Sequence, residues 1–126
     1  MTDAYEQAKQ NRINVIEQIS NTYGLLTKDD VEHLLVKPIT NIPLLTVERS
    51  GDILYPAFQF DMDNHKVKYV IHPLVNLAVN SNWDKEDVVF WLVSPTTYFQ
   101  GAKPVDHIDD TVNLLKVADL AWNISW

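Results

Sequence analysis

Apolar residues recur every three or four positions in several stretches of the chain, a pattern typical of helices that bury one face. The first stretch spans residues 3–21, and Gly24 follows it as a natural end for that helix. Its expected buried stripe consists of Tyr5, Ala8, Ile13, Val15, Ile16 and Ile19. Thr27 is expected to cap a second helix that reaches Leu35, because its hydroxyl can accept a bond from a free amide.

The second half of the chain carries three further helical patterns. Residues 66–80 have a helical period that Pro73 is expected to start late or to kink. Asp84 is expected to cap a helix that ends before Pro95. A last helix is predicted near residues 109–122. Its expected buried stripe consists of Ile108, Val112, Leu115, Ala118 and Trp122.

Strand-like residues are concentrated in residues 46–60, where β-branched and aromatic side chains flank a turn at residues 50–52. Pro56 cannot donate to a ladder, so the second arm is expected to be an edge strand or to end near that residue. A second turn is expected at residues 61–65. One hairpin and five helical segments predict a mainly α fold with a small β-hairpin, in a compact single domain.

Composition narrows the class of protein. A chain of 126 residues predicts one domain, and the absence of cysteine excludes disulfides, thiol nucleophiles and cysteine metal sites. The longest apolar run, residues 88–93, is far shorter than the roughly 20 residues of a membrane helix. The first residues lack the basic and apolar regions of a signal peptide. These features predict a cytoplasmic protein with no membrane partner.

Charge and reactive residues argue against two classes of function. The net charge is −7 and no three basic residues are adjacent, so the chain alone is not expected to bind DNA tightly. The alternation of Asp61, Asp63 and His65 is compatible with a small enzyme or metal protein, but a plain turn explains the same composition. No metal-binding histidine spacing or phosphate-binding glycine loop is present. We therefore expect a protein that is not an enzyme and that needs no cofactor or metal.

Four tryptophans lie in the last third of the chain. Trp91 is expected in the core, together with the other large side chains of its helix. Trp126 has two open interpretations: it folds back onto the domain, or it binds a partner, as tryptophans often do at binding hot spots.

Two motifs resemble a known family, the Xre/MbcA/ParS-like antitoxins with a C-terminal toxin-binding domain. The first is an apolar helix followed by spaced Pro, Phe, Gly, Pro and Asp residues, formed by Trp91, Leu92, Pro95, Phe99, Gly101, Pro104 and Asp106. The second is the run Tyr55, Pro56, Ala57, Phe58, Gln59 and Phe60. In physical terms Gly101 is expected to supply a positive φ, Pro104 to begin a turn and Phe99 to fill the core.

The resemblance implies an antitoxin that covers the active-site cleft of an NAD-degrading RES-domain toxin with its last helix and tail. It implies a homodimer or a hetero-oligomer with that toxin, built from an N-terminal region (1–43) and a toxin-binding domain (44–126). The N-terminal region would be a degenerate helix-turn-helix, because two prolines stand where a recognition helix should lie. The alternative is a non-enzymatic interaction or structural domain with another role. The expected partner-binding residues are Lys116, Asp119, Trp122, Asn123 and Trp126.

Overall fold

A computed structural model describes residues 3–123, which contain five α-helices and five short strands. The helices are α1 (Ala4–Thr22), α2 (Lys28–Leu35), α3 (Ile71–Asn80), α4 (Lys85–Leu92) and α5 (Thr111–Trp122). The strands are β1 (Leu25–Leu26), β2 (Val47–Arg49), β3 (Asp52–Pro56), β4 (Phe60–Asp61) and β5 (Lys66–Val67). Three 3₁₀ turns lie at Ala57–Gln59, Thr97–Phe99 and Pro104–His107. The mainly helical prediction is confirmed.

Side-chain caps set where the helices begin. Thr27 and Asp84 each form a capping box. The cap side chain accepts from the backbone amide three residues later, and the backbone amide of the cap residue donates to the carboxylate of that same later residue, Asp30 or Asp87. Both caps were predicted from the sequence, and both are confirmed. Helix α3 begins at Ile71, which places Pro73 in its first turn, where a missing amide proton costs no helical bond. The predicted late start is therefore confirmed as well.

A three-stranded antiparallel sheet has the order β1-β3-β2. Ser50 (φ 53°) and Gly51 (φ 87°) form the predicted turn between β2 and β3, with the two positive φ angles that tight hairpins favour. Strand β3 ends at Pro56, as predicted, but it is the central strand and not an edge. Strand β1 was not predicted, because two leucines are too short a pattern; they pair with Tyr55 and Pro56.

The main core joins both ends of the chain. Ile16 and Ile19 of α1 pack with the buried faces of α3, α4 and α5 and with Val47 of β2. A second, smaller core lies between α2, the segment after it and β4, and its buried members are Val31, Leu35, Leu44 and Phe60.

Two predicted stripes were partly wrong. Val112 is 81% exposed and Leu115 only half-buried, whereas Leu114, Val117, Ala118 and Trp122 form the buried face of α5. Adjacent leucines at 114 and 115 allow two apolar stripes about 100° apart, and packing against α3 selects one of them. The start of α1 is also exposed, including Tyr5 and Ile13, because no other element covers it among residues 3–123.

No helix within the described part of the chain has the length and apolar character needed to cross a membrane.

Candidate functional site

The run Tyr55–Phe60 forms a buried junction around the side chain of Gln59. The Gln59 Oε1 accepts from the Leu45 amide at 2.7 Å, and its Nε2 donates to the carbonyls of Leu45 at 2.8 Å and Pro56 at 3.0 Å. Gln59 is fully buried, and its amide thereby pairs with the backbone as a neighbouring strand would. We call Gln59, Leu45 and Pro56 the Gln59 junction.

Aromatic residues around the Gln59 junction also have packing roles. Phe58 meets Tyr23, the residue that follows α1, edge to face, with ring centroids 5.4 Å apart. Phe60 is buried in the smaller core. Tyr55 is half-buried beside the same core. The Tyr55–Phe60 motif therefore builds the fold around residues 44–60 and presents no reactive group.

The motif from Trp91 to Asp106 turns the chain between α4 and α5. Gly101 takes φ 89°, as predicted, and Phe99 is buried and stacks on His107 with ring centroids 4.2 Å apart. Pro104 is buried and begins the 3₁₀ turn that leads toward α5. Asp106 is exposed; burial and, to a smaller extent, the charge of Asp106 raise the pKa of Tyr23. This motif fixes the position of the last helix.

Three tryptophans anchor the end of α5. Trp122 stacks on Trp83 at 4.8 Å between centroids and meets the edge of Trp91 at 5.2 Å. Only 8% of Trp122 is exposed, and its indole Nε1 has no acceptor within residues 3–123. We call Trp83, Trp91 and Trp122 the tryptophan cluster. It places Trp122, a predicted partner-binding residue, in the core of the isolated chain.

Other predicted partner-binding residues lie together on the opposite side of α5. Lys116, Asp119 and Asn123 are exposed, and Asn123 donates to the Asp119 carboxylate at 2.8 Å. Two apolar side chains continue this side, Val112 at 81% and Leu120 at 52% exposed. We call these five residues the α5 stripe. Trp126 lies outside the described residues.

The turn at residues 61–65 is organised by hydrogen bonds. Asp61 accepts from the side chain of Asn64 at 2.8 Å and from its backbone amide at 3.2 Å. The side-chain bond is the main reason that the pKa of Asp61 is lowered. His65 places its Nδ1 3.2 Å from the Leu34 carbonyl. No group of three His, Asp or Glu side chains that could hold a metal occurs among residues 3–123.

Helix α2 has an acidic outer surface with Asp29, Asp30 and Glu32. The segment after it, residues 36–46, runs without a helix up to β2. In helix-turn-helix proteins, the corresponding segment forms a second helix that reads the DNA duplex and carries basic side chains toward the phosphates. Weak DNA binding by the chain alone stays a prediction.

A basic groove lies where α2, β5 and the start of α3 meet, and sequence reasoning missed it. Five cationic or titratable side chains line this open groove of about 520 Å³: Lys37, His65, Lys66, Lys68 and His72. No carboxylate lines it within the described part of the chain. The spacing of four of these residues within 65–72 was a visible signal, but Lys37 joins them only through the fold.

The chain matches no known protein-family profile and no curated protein sequence. Its fold is similar to that in the NMR structure of Rv2175c, with a TM-score of 0.67 and 17% sequence identity. The similarity covers 79% of this chain and 82% of that chain. At this level of identity the likeness concerns the fold alone.

Proposed function

We propose that this chain is an antitoxin that binds a RES-domain, NAD-degrading toxin through the α5 stripe. The observation that carries the proposal is the two-sided character of α5. One side is buried through Leu114, Val117, Ala118 and Trp122, and the other exposes two apolar residues among polar ones. Exposed apolar side chains rimmed by polar groups are typical of protein-binding surfaces.

Spacing along the helix supports a single contact surface. Val112, Lys116, Leu120 and Asn123 follow one another at intervals of four, four and three residues, so they lie along one side of the helix. The same spacing is used by helices that place one face in the groove of a partner. Lys116 and Asp119 add one charge of each sign, which would set the orientation of the complex.

The fixed position of α5 also supports the proposal, because it lowers the entropy cost of binding. The tryptophan cluster and the turn around Gly101 hold the helix before any partner arrives. A surface that is already ordered loses less conformational entropy on binding. The resemblance to the antitoxin family, carried by the two motifs, supplies the identity of the proposed partner.

A binding assay with matched variants tests this proposal. Leu120→Arg should weaken binding to a RES-domain toxin encoded beside this chain at least tenfold, since it removes an apolar contact and places a charge in the interface. Val79→Arg is the control, because Val79 is 68% exposed near the end of α3 and lies outside the stripe. The NAD content of cells that co-express toxin and variant provides a second readout.

Three outcomes would contradict the proposal. The wild-type chain could fail to bind the toxin or to preserve cellular NAD, which would favour the alternative of an interaction domain with another role. Leu120→Arg could bind as tightly as the wild type, or Val79→Arg could weaken binding equally. Thermal unfolding of both variants establishes that each is folded in the assay.

A further inference from the structure

We propose that the basic groove binds a nucleotide, with the phosphates near Lys37, Lys66 and Lys68 and the base against Tyr69. This site is separate from the α5 stripe and does not depend on the antitoxin proposal. The groove combines a positively charged lining, an exposed tyrosine, the start of α3 and apolar walls.

The groove concentrates positive charge. The whole chain carries −7, yet three of its ten Lys and Arg residues and two of its four His residues line this one groove. Two carboxylates lie close by: Asp109 accepts from Lys68 at 3.0 Å, and the charge of Asp61 acts on Lys66. Lys37 is exposed at the other side of the groove. The lining itself is thus positive in a negative protein, which favours an anionic ligand.

Tyr69 adds an aromatic surface for the base, which an electrostatic patch alone does not provide. The ring is 77% exposed, an unusual position for an aromatic side chain. Lys66 lies 4.2 Å from its ring centroid and donates to its hydroxyl at 2.8 Å, a bond that raises the pKa of Lys66. Lys66 and the Tyr69 ring are therefore held side by side. In a bound nucleotide, Lys66 would contact a phosphate and the ring would stack on the base.

The start of α3 also borders the groove. No side chain caps this helix at Val70, and His72 and Pro73 of its first turn line the groove. The positive end of the helix dipole attracts phosphate, whereas the Ile71 amide already donates to the Lys68 carbonyl and Pro73 has no amide proton. This feature only adds to the lysines and the tyrosine, which define the site.

Apolar walls complete the groove. Ile42 and Pro43 come from the segment after α2, and Val67 comes from β5. They give a ligand with a flat, weakly polar part a surface to cover, which inorganic phosphate would not use. The combination therefore favours a nucleotide over a simple anion.

Calorimetric titration of the full chain with ADP and with pyrophosphate tests the proposal. ADP should bind one to one and more tightly than pyrophosphate, and both should weaken as salt is raised. Lys37→Ala and Lys66→Ala should each weaken ADP binding at least about fivefold, since each removes a charge-assisted contact. Lys85→Ala is the matched control, an exposed lysine at the start of α4 that should leave binding unchanged.

Tyr69→Ala separates the two halves of the proposed site. It should weaken ADP binding at least about fivefold, because stacking on the ring is lost, and leave pyrophosphate binding within about twofold. The proposal is overturned if ADP shows no saturable binding, if pyrophosphate binds as tightly as ADP, or if Lys85→Ala weakens binding equally. A single-stranded oligonucleotide that binds more tightly than ADP through the same lysines would identify nucleic acid as the ligand and also overturn it.

Discussion

The Gln59 junction and the tryptophan cluster each bury a side chain with a polar group, but only the group in the Gln59 junction is hydrogen-bonded within residues 3–123. Gln59 makes three hydrogen bonds to backbone groups that are themselves buried. The Trp122 indole N–H has no acceptor within residues 3–123 and is surrounded by other rings. One region is held by directional bonds, the other by apolar area.

This difference predicts how each region responds to substitution. A buried hydrogen bond is costly to break because its partner stays behind in the interior without one. A substitution in an aromatic cluster lowers the free energy of unfolding in proportion to the area and volume removed. Replacing one ring by a smaller ring therefore costs less than removing the ring. Arg12 and Asp30 also form hydrogen bonds, but their side chains are more exposed than Gln59. They show how the cost of losing a hydrogen bond depends on burial.

The largest effect is expected for Gln59→Met, which keeps the volume and removes all three bonds. The amide and carbonyl of Leu45 and the carbonyl of Pro56 would lose these partners, at about 1–3 kcal/mol for each unsatisfied group. We expect a loss of about 4 kcal/mol in the free energy of unfolding, measured by urea denaturation. Gln18→Met, at an exposed position of α1, is the control and should change little. A loss below about 1 kcal/mol would contradict the role assigned to Gln59.

Trp122→Phe should cost less, about 1–2 kcal/mol, because an aromatic ring remains against Trp83 and Trp91 while part of the volume is lost. Trp122→Ala should cost about 4 kcal/mol, since it removes the whole ring. Thermal or urea unfolding of the two variants measures both losses. If phenylalanine is as damaging as alanine, a polar bond of the indole matters more than its packing, and the comparison with Gln59 fails.

Arg12 makes three hydrogen bonds, as Gln59 does, but its side chain is only half-buried. Its guanidinium forms a two-point ion pair with Glu86 of α4 and donates to the Glu48 carbonyl of β2 at 2.9 Å, so it connects α1, β2 and α4. Hydrogen bonding to Glu86 raises the pKa of Arg12. Because 37% of the Arg12 side chain is exposed, solvent screening limits the expected loss for Arg12→Ala to about 1 kcal/mol.

A double-mutant cycle with Glu86→Gln measures the Arg12–Glu86 coupling directly. The coupling should shrink in 1 M salt, where exposed charges are screened within about 3 Å. A coupling energy as large as the loss expected for Gln59→Met would show that the number of hydrogen bonds, and not their burial, determines the loss in the free energy of unfolding.

The smallest effect is expected for Asp30, whose carboxylate is exposed. Hydrogen bonding by the Thr27 backbone amide, and then by the Thr27 hydroxyl, lowers the pKa of Asp30 in the folded chain. A lowered folded-state pKa gives stability that is present above the unfolded pKa and is lost as pH falls through the folded pKa. The thermal midpoints of wild type and Asp30→Asn should therefore differ at neutral pH and converge in acid. A difference that widens on acidification would contradict this sign.

Local structure was predictable where the decisive interactions lie within a few residues. The caps Thr27 and Asp84, the turn at Ser50 and Gly51 and the positive φ of Gly101 all depend on neighbours along the chain. Side-chain capping and glycine conformation act over three or four positions, so residue type and order suffice to predict them.

The candidate sites were only partly predictable. Lys116, Asp119 and Asn123 were predicted as partner-binding residues, and they are exposed on α5 or directly after it. Val112 was wrongly predicted in the buried stripe, and Leu120 was not recognised. Helical spacing identifies residues that share a face, but it does not say which of two apolar faces is covered. That choice depends on α3, which contacts α5 from more than 30 positions away in sequence.

Periodicity and short-range hydrogen bonds are sufficient to predict the helices, their caps, the hairpin turn and the mainly helical class. Packing between distant segments is what bonds Gln59 to Leu45, buries Leu114 and not Val112, and adds β1 to the sheet. It also brought Lys37 beside Lys66 and Lys68 in one groove. These outcomes depend on contacts between distant segments, which form when apolar faces leave water together and which no local pattern encodes.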